Sequence, residues 1–191
     1  MTTTAELEED FLFDRQLIPD SIKEALGSDY IIRPLSKTDH GRSHLALLAG
    51  LTSAPDTGLA DYQKRFELLR SINAATPATP TYATVCIINC STDRMVGCGT
   101  LVLEHKFIRA GGSVGHIEDI VVDPTVRGKS LGKRIIEALT GISERLGAYK
   151  TILDCNKDNI AFYEKCGYVH KEYEMVRYTS PEIVEKYKRK S

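Results

Sequence analysis

The chain has 191 residues, of which 42% are hydrophobic and 27% charged, and its formal net charge is -1. This length fits one domain of ordinary size, and the composition excludes a fibrous repeat and a disordered chain. No apolar stretch approaches the roughly 20 residues that span a bilayer, and the acidic N-terminus lacks the basic start of a signal peptide. We therefore expect a cytoplasmic protein without a membrane span.

Acidic residues are concentrated at the start of the chain. Residues 1–29 contain eight acidic and two basic residues, interspersed with apolar ones, which predicts an acidic arm that docks on the protein as a short helix or extended segment. The remainder has a modest positive excess, which favours a small anionic ligand and argues against nucleic acid as a partner. The five cysteines are odd in number and lack a C-x-x-C spacing, so we expect free and mostly buried thiols.

The first elements predicted after this arm are a strand and two helices. The strand covers 30–33 and ends at a proline. Thr38 or Asp39 is expected to cap a helix that runs to Leu51. The residues of that helix expected to face inward are Leu45, Leu48 and Leu51. From Asp61, apolar residues at helical spacing predict a second helix, which ends before two prolines.

The middle of the chain predicts a β-hairpin and then a third strand. Segments 81–90 and 95–104 are apolar runs on either side of a short polar turn, the pattern of a hairpin. After a glycine-bearing loop, a third apolar run at 116–122 is interrupted by Glu118 and Asp119. Two adjacent carboxylates destabilise a buried strand, so we expect them to have a function.

The C-terminal third predicts a long helix followed by shorter elements. The helix ends at Gly147 and carries one apolar stripe, formed by Leu131, Ile135, Leu139, Ile142 and Leu146. A buried strand at 150–155, a short helix at 159–166 and two further strands around 174–177 are expected after it. The sequence has no internal repeat, and this order of elements predicts an α/β (α+β) fold.

An anion site is predicted where the long helix begins. The loop Arg127-Gly128-Lys129-Ser130-Leu131-Gly132 follows a strand and opens the helix, so backbone N–H groups and the helix dipole converge there. Glycines let the main chain approach an anion closely, and Arg127, Lys129 and Lys133 raise the positive potential. The pattern favours a nucleotide-type pyrophosphate, and the alternative is a basic helix start with a purely stabilising role.

Three other patterns do not support the functions they suggest. Gly128-Lys129-Ser130 ends like a Walker loop, but Asp123 stands where the first glycine is required, which disfavours ATP hydrolysis. Gly97-Cys98-Gly99 begins like a dinucleotide fingerprint, but Val102 stands where its third glycine is required. His40 and His44 lack further ligands, so we predict no metal site.

The anion-binding loop resembles the acceptor loop Q/R-x-x-G-x-G/A of the GNAT superfamily of acetyl-CoA-dependent N-acetyltransferases. Ser130 stands where that family usually has glycine. Three further segments resemble those of eukaryotic, fungal-like glucosamine 6-phosphate N-acetyltransferases: Gly115–Ile120, Tyr149–Cys155 and Phe162–Tyr168.

The resemblance covers residues 30–178 and leaves the arm at 1–29 and a tail at 179–191 outside. It implies a GNAT fold, in which helices flank a central twisted sheet that is mixed but mostly antiparallel. The strands of that sheet splay apart at the acetyl-CoA site.

The resemblance implies transfer of an acetyl group from acetyl-CoA to the 2-amino group of D-glucosamine 6-phosphate, by direct attack of the amine in a ternary complex. The product, N-acetyl-D-glucosamine 6-phosphate, is used in UDP-N-acetylglucosamine biosynthesis. Glu118 or Asp119 takes the amine proton, directly or through water, and Tyr163 protonates or hydrogen-bonds the leaving thiolate. A capping or ion-paired role for the two acids and a core role for the tyrosine are the structural alternatives.

The resemblance also assigns binding residues. The co-substrate acetyl-CoA is expected to contact backbone and side-chain atoms of Ile120, Val121, Val122, Arg127, Gly128, Lys129, Ser130, Leu131, Gly132, Lys133, Tyr163, Glu164 and Lys165, with the N–H of Val121 or a neighbour polarising the thioester carbonyl. The sugar phosphate is expected to contact Thr52, Lys106, Phe107, Ile108, Arg109, Glu118, Asp119, Tyr149, Lys150, Asp154 and Arg177. Lys150 is the leading candidate for a phosphate ligand.

Two of these implications concern the last predicted strands. Arg177 lies one residue earlier than the family pattern places its arginine, and a shift of one residue turns a strand side chain to the other face. Members of this family are homodimers whose last strands cross to the partner subunit. A homodimer with a shared sugar site is therefore expected, although the apolar residues of 168–176 also fit a monomer core.

Two other functions compete with this interpretation. A GNAT enzyme with another acceptor, such as a polyamine, an aminoglycoside or a protein lysine, has the same pyrophosphate loop but a different acceptor site. A non-catalytic acyl-CoA-binding module keeps the loop without the chemistry, and the presence of Glu118, Asp119 and Tyr163 argues against it.

Overall fold

The computed structural model of the protein describes residues 10–187 and divides into two units, one ending at Leu153 and the other beginning at Asp154. The first unit contains a five-stranded sheet in the order β1-β2-β3-β4-β5. Its strands are β1 Tyr30–Pro34, β2 Tyr82–Asn89, β3 Arg94–His105, β4 Ser113–Val122 and β5 Ala148–Leu153. The first four strands are antiparallel, and β5 runs parallel to β4. The predicted hairpin and the mixed, mostly antiparallel sheet are confirmed.

Residues 10–153 of the first unit contain five α-helical segments: α1 Asp20–Ala25, α2 His44–Leu48, α3 Leu59–Ala74, the short turn α4 Ile108–Gly111 and α5 Leu131–Arg145. Turns of 3₁₀-helix lie at Arg15–Leu17 and Pro124–Val126. The second unit contains a 3₁₀ turn at Lys157–Asn159, then α6 Ile160–Glu164 and α7 Pro181–Tyr187. Within residues 10–187, no helix is both long and apolar enough to cross a bilayer.

Helix α5 covers one face of the sheet and forms the crossover from β4 to β5. All five residues of its predicted stripe are buried, which confirms the stripe. Two glycines allow the helix to approach the strands closely. A Cβ on Gly99 would lie 2.3 Å from Ile120 Cδ1 and 2.7 Å from Ile135 Cγ2, and a Cβ on Gly115 would lie 2.3 Å from Ser143 Oγ. The packing of α5 against β3 and β4 therefore requires residues without a side chain at positions 99 and 115.

We expect Gly99→Ala to destabilise the protein by about 1–3 kcal/mol, the usual effect of an added methyl group in a closely packed core. Three side chains meet the new Cβ, those of Ile120, Ile135 and Leu139, and the two from α5 are fully buried and have little room to move. Urea unfolding measures the effect. The matched control is Gly41→Ala, whose Cβ would meet its nearest atom, the Thr38 carbonyl oxygen, at an ordinary 3.6 Å. Equal stability of the two variants would contradict this account of the packing.

The helix expected from Thr38 or Asp39 to Leu51 is shorter than predicted. Asp39 does not cap it, because its carboxylate is fully buried in an ion pair with Arg33. Ser43 has a left-handed backbone (φ 69°), and the helix begins only at the next residue. This change of phase buries His44 and Leu47, while Leu45 and Leu48 are partly buried and Leu51 is exposed. The prediction that Leu51 faces inward was wrong.

Strand β5 is less buried than its apolar residues predict. It begins at Ala148 and ends at Leu153, and no residue of it is fully buried. It lies at an edge of the sheet and pairs with β4 on one side. The other edge strand, β1, is mostly buried, so the exposure of β5 depends on what covers its faces and not on its edge position alone. The lysine at its third position, Lys150, is a residue typical of such edges.

The two strands predicted around 174–177 are absent from the described residues. No residue from 165 to 180 is in a strand, and the apolar side chains from 169 onward are exposed, with Tyr173 at 86% and Met175 at 94%. A strand requires a neighbouring backbone to satisfy its N–H and C=O groups. Apolar alternation alone does not supply that neighbour, so the local pattern overpredicted strand here.

The N-terminal arm packs against the sheet and α5 in its described part. Leu12, Phe13, Ile18 and Ile22 are buried, and Pro19 lies against Gly141 of α5. Docking of the arm is confirmed for residues 10–29, and residues 1–9 lie outside the described part.

All five cysteines are free, as expected. Cys86 and Cys98 are buried in the middle of β2 and β3. Burial raises the pKa of both thiols, that of Cys98 to about 12, so neither is a thiolate at neutral pH. Cys90 and Cys155 are exposed and Cys166 is half-buried. The expectation of burial was therefore wrong for these three cysteines, which lie outside the strands.

Candidate active site

Strands β4 and β5 separate halfway along β4. Their parallel pairing runs from Ser113 opposite Ala148 to Ile117 opposite Leu153, where β5 ends. Strand β4 continues to Val122. From Glu118 onward, β4 therefore has β3 on one side and no strand on the other among residues 10–187. The predicted splay is confirmed, and it begins at the two adjacent carboxylates.

A β-bulge marks the same point. Glu118 lies opposite Thr100 and Val121 opposite Cys98, so β4 has one residue more than β3 in this interval. Asp119 has a left-handed backbone (φ 54°), a conformation that aspartate adopts more readily than most residues. Bulges and sparsely populated backbone conformations are typical of functional sites, where they redirect side chains.

The pairing pattern places Glu118 on the face of the sheet opposite α5. Glu118 lies opposite Thr100 of β3, and the residue before Thr100, Gly99, faces Ile135 and Leu139 of α5. Thr100 therefore faces the other way, where its hydroxyl lies 2.9 Å from that of Thr84. Cross-strand partners share a face, so Glu118 points to this side as well. Both Glu118 and Asp119 are exposed.

A cleft of about 370 Å³ opens on this same face, between α2, the start of β3 and the end of β4. Its lining includes Ile120, Val121, Val122 and Arg127, four of the residues predicted to bind the co-substrate. The opposite wall includes Ser43, Leu47 and Gly50, and a Cβ on Gly50 would lie 4.0 Å from Val121 Cγ2. The spacing between α2 and β4 thus sets the width of the cleft.

Backbone direction decides which amides of β4 are available beside the splay. The N–H of Asp123 donates to the carbonyl oxygen of Val96 on β3 at 2.9 Å. Because successive N–H groups of a strand alternate in direction, the N–H of Val121 also points to β3. The amides of Ile120 and Val122 point to the open side, and these two neighbours are the better candidates to hydrogen-bond an extended ligand.

The loop before α5 has the conformation of an anion cradle. Gly128 (φ 85°) and Ser130 (φ 59°) are both left-handed, and α5 begins directly after them at Leu131. Within residues 10–187 no side chain caps α5, and Arg134 is the residue whose N–H bonds back to the Ser130 carbonyl. The N–H groups of the first turn therefore remain directed outward for a ligand.

The basic residues around this loop differ in their contacts. Arg127 is exposed and lines the cleft. Lys129 donates to the hydroxyl of Tyr30 at 2.9 Å and lies over that ring, and this hydrogen bond raises the pKa of the lysine. Lys133 lies 3.6 Å from Glu137 one turn along α5. All three are cations near the loop, and Arg127 is the one that faces the cleft.

Besides the two carboxylates of β4, the residues predicted to bind the sugar phosphate lie in three places in the first unit. Thr52 is exposed beyond the end of α2. Lys106 to Arg109 follow β3, and Tyr149 and Lys150 begin β5. Arg109 lies over the Tyr149 ring at 5.7 Å and has a left-handed backbone, while Phe107 and Ile108 are exposed.

An ion cluster fixes the start of this basic segment. Lys106 Nζ lies 2.6 Å from Glu104 Oε1, and His116 Nε2 lies 2.9 Å from Glu104 Oε2. These hydrogen bonds, that of Lys106 first, hold the pKa of Glu104 below its usual range.

Within the first unit, the basic segment and the carboxylates lie at different positions along β4. The segment adjoins the start of β4, where Ser113 pairs with His105. Glu118 lies five residues further along the strand, a separation of about 17 Å.

The second unit holds the remaining predicted residues. Tyr163 lies in α6, where Phe162 and Tyr168 contact its ring edge-to-face at 5.0 and 6.4 Å. Burial, followed by the nearby thiols of Cys155 and Cys166, raises the pKa of Tyr163, so its hydroxyl keeps its proton at neutral pH.

Four other predicted residues of this unit are exposed: Asp154, Glu164, Lys165 and Arg177. Arg177 is not in a strand, so the expectation that a strand register fixes its direction was wrong.

Several residues of the cleft were not found from the sequence. Arg94 and Met95 at the start of β3, Ser43 just before α2 and Leu47 within it line the cleft without any motif of their own. The left-handed Ser43 and the buried Asp39 shift the phase of α2, and no local pattern announces that shift. Among residues 10–187, no group of three or more histidine, cysteine or carboxylate side chains could hold a metal ion.

Comparisons with known proteins agree with this geometry. Residues 55–168 match the acetyltransferase (GNAT) family profile. The chain is 36% identical over 154 residues to the glucosamine 6-phosphate N-acetyltransferase of Arabidopsis thaliana, covering 80% of this chain and 99% of the relative. It is 38% identical over 153 residues to glucosamine 6-phosphate N-acetyltransferase 1 of Dictyostelium discoideum, covering 79% of this chain and 93% of that protein.

Two solved structures share the fold. The crystal structure of glucosamine-6-phosphate N-acetyltransferase from Arabidopsis thaliana superposes with a TM-score of 0.75 at 35% identity, covering 80% of this chain and all of that chain. A Trypanosoma brucei acetyltransferase superposes with a TM-score of 0.72 at 37% identity, covering 79% of this chain and all of the other. The bulged and splayed β4, the left-handed loop before α5 and these matches lead to one conclusion: the chain belongs to the GNAT acetyltransferase family.

Proposed function

We propose that this protein transfers the acetyl group of acetyl-CoA to the 2-amino group of D-glucosamine 6-phosphate, giving N-acetyl-D-glucosamine 6-phosphate and CoA. The observation that carries the proposal is its identity of 36% over 154 residues, almost the full length of the Arabidopsis thaliana relative that bears this activity in its name. The product would enter UDP-N-acetylglucosamine biosynthesis, and we place the reaction in the cytoplasm.

The described residues fit acetyl-CoA. The left-handed loop at 127–130 and the first turn of α5 direct N–H groups outward for a diphosphate, as backbone cradles in other nucleotide sites do. The open edge of β4 offers the amides of Ile120 and Val122 to an extended arm, in the manner of an added strand. When bound, acetyl-CoA supplies the acetyl group as a thioester.

Proton transfers are the chemistry that the side chains must perform. Attack requires a neutral amine, and Glu118 is suited to take its proton because it lies on the cleft face of β4. Asp119 in the bulge orients the sugar. Tyr163 keeps its proton at neutral pH because burial raises its pKa, so its hydroxyl can donate to the departing sulfur.

Recognition of the sugar phosphate is assigned to basic residues, and a second copy of the chain contributes some of them. Lys150 is exposed at the start of β5, near the Arg109 and Tyr149 pair. About 17 Å of β4 separates Glu118 from this end of the sheet. Phe107, which is fully exposed, provides an apolar contact suited to the partner of a homodimer. In this arrangement each sugar site combines carboxylates of one chain with cations of the other.

An acceptor panel tests the proposed function. With acetyl-CoA, the purified protein should release free thiol rapidly when D-glucosamine 6-phosphate is added, and at least about tenfold more slowly with D-glucosamine at the same subsaturating concentration. Loss of a charge-assisted phosphate contact costs about 1.5–3 kcal/mol, which corresponds to a factor of ten or more in kcat/KM. Thiol release is followed by absorbance with a disulfide reagent.

The control separates phosphate recognition from general catalysis. Lys150→Ala should reduce the ratio of the two rates of thiol release, that with D-glucosamine 6-phosphate over that with D-glucosamine. Lys157→Ala, at an exposed lysine of the second unit, should leave this ratio unchanged. Equal turnover of both sugars by the wild-type protein would contradict the assignment of the acceptor. Turnover of a polyamine, an aminoglycoside or a lysine peptide in place of the amino sugar would identify a different GNAT acceptor. If no acceptor of the panel causes thiol release, the result would contradict both the proposed activity and a GNAT activity on one of these other acceptors.

A further inference from the structure

A buried carboxylate joins two arginines close to the cleft. Asp39 is fully buried, and its two oxygens accept from Arg33 at 2.7 and 2.8 Å. Its Oδ2 also accepts from the backbone N–H of Ser36 at 2.7 Å, and its Oδ1 lies 3.2 Å from Nη1 of Arg42. Arg33 belongs to β1, so this cluster fixes the segment before α2 to the edge strand of the sheet.

Arg42 extends the cluster to the turn between β2 and β3. Its Nε donates to Oδ1 of Asp93 at 2.8 Å, and its Nη1 donates to the hydroxyl of Thr38 at 2.8 Å. Its backbone carbonyl accepts the N–H of Met95 at 3.0 Å. One side chain therefore bridges a buried carboxylate on one side and an exposed carboxylate on the other, and its own backbone is tied to β3.

The two elements that Arg42 joins are both walls of the cleft. Ser43 follows it directly and lines the cleft, together with Leu47 of α2 and Gly50 just after that helix. On the other side of the bridge, Met95 lines the same cleft at the start of β3. Movement of α2 relative to β3 would change the space beside Val121, and the Arg42 bridge opposes that movement.

A second contact secures the first residue of α2. His44 is buried, and its Nδ1 lies 3.0 Å from the hydroxyl of Tyr62 in α3. Burial lowers the pKa of His44 to about 4, so its imidazole is neutral and this contact is an uncharged hydrogen bond. Helix α2 has only five residues and thus depends on such tertiary contacts for its position.

We propose that Arg42 is a positioning residue for acetyl-CoA: by bridging Asp39 and Asp93 it holds α2 at the distance from β4 that the pantetheine arm requires. The inference rests on the proposed function, because it assumes that the cleft takes this arm. It assigns to Arg42 an effect on co-substrate affinity and none on the proton transfers at Glu118 and Tyr163.

Calorimetric titration of acetyl-CoA into the full-length protein tests the inference. Arg42→Ala should weaken binding by about tenfold, equivalent to about 1.4 kcal/mol. Arg42→Lys should retain most of this defect, because an ammonium is a single point charge and cannot span two carboxylates as the guanidinium fork does. At saturating acetyl-CoA, kcat of both variants should stay within about twofold of wild type.

The matched control is Lys37→Ala. Lys37 Nζ lies 2.6 Å from Glu67 Oε1 and ties the same segment to α3 without touching the cleft, so its loss should leave acetyl-CoA affinity unchanged. If Arg42→Ala does not fold, Asp93→Asn replaces it, since that carboxylate is 71% exposed and its loss breaks only the outer half of the bridge.

Three outcomes would overturn the inference. The first is wild-type affinity in a folded Arg42→Ala or, in its place, Asp93→Asn protein. The second is full affinity in Arg42→Lys, and the third is an equal loss in Lys37→Ala, which would indicate a general effect of stability. Failure of the wild-type protein to bind acetyl-CoA would overturn the proposed function together with this inference, whereas unchanged variants of a wild type that binds would overturn this inference alone.

Discussion

Tyr163→Phe should lower kcat for acetyl transfer by about 10²- to 10³-fold, while the affinity for acetyl-CoA changes little. The substitution removes one hydroxyl and keeps the ring, so the edge-to-face contacts with Phe162 and Tyr168 survive. A positioned general acid contributes about 10²- to 10⁴-fold to a rate, which sets the scale of the loss. Steady-state thiol release gives kcat, and calorimetry gives the affinity.

The pH dependence of the Tyr163 contribution follows from the direction in which the pKa of its hydroxyl is shifted. Burial raises the pKa of Tyr163 above its usual value of 10.0, so the protonated form that acts as the acid persists throughout the neutral range. The Tyr163 contribution should therefore be lost only on the alkaline side of pH 10. Tyr168→Phe is the matched control because it removes a phenol from the same cluster. A large loss of acetyl-CoA affinity in Tyr163→Phe with unchanged kcat would contradict the acid role.

Glu118→Gln should lower kcat/KM for the amino sugar by about 10²-fold or more, the usual contribution of a general base. Asp119→Asn should have a smaller effect, because asparagine also tolerates the left-handed backbone of the bulge and can keep orienting hydrogen bonds. The difference between the variants follows from the strand faces, which place Glu118 on the side of the cleft.

A pH series distinguishes a base from a purely structural carboxylate. Without an internal base, reaction depends on the amine that is already neutral in solution, so the deficit of Glu118→Gln relative to wild type should shrink as the pH rises. Glu144→Gln, at an exposed position of α5, is the control for the change in charge. A deficit that stays constant with pH, or a larger effect in Asp119→Asn, would assign the proton transfer to another group.

Local sequence patterns were sufficient for much of the fold. The predicted apolar stripe of α5 was correct at all five positions, because the helical spacing of apolar residues can be recognised within one continuous segment. The hairpin of β2 and β3 was also predicted, since two apolar runs around a short polar turn pair with each other. The anion-binding loop at 127–132 was recognised from its residue types. Ser130 in this loop has a left-handed backbone, which shows how a residue other than glycine fits the pattern.

Predictions failed where a segment depends on contacts distant in the chain. Helix α2 changed its phase because Asp39 pairs with Arg33 and does not cap the helix. The strands expected at 174–177 lack a neighbouring strand in the described residues. Strand β5 is more exposed than its composition suggests, because the covering of its faces depends on elements distant in the chain.

The amino-acid sequence by itself determined the order of most helices and strands and the position of the glycine-bearing basic loop before α5, because these depend on periodicity and spacing within short segments. The reactive side chains were predicted from the resemblance to a known family. The tertiary structure alone decided where β4 leaves β5, which face Glu118 occupies, which amides of β4 are open, and which residues of α2 and β3 form the cleft. Those features depend on strand register and on ion pairs between residues far apart in the chain, and no local pattern encodes them.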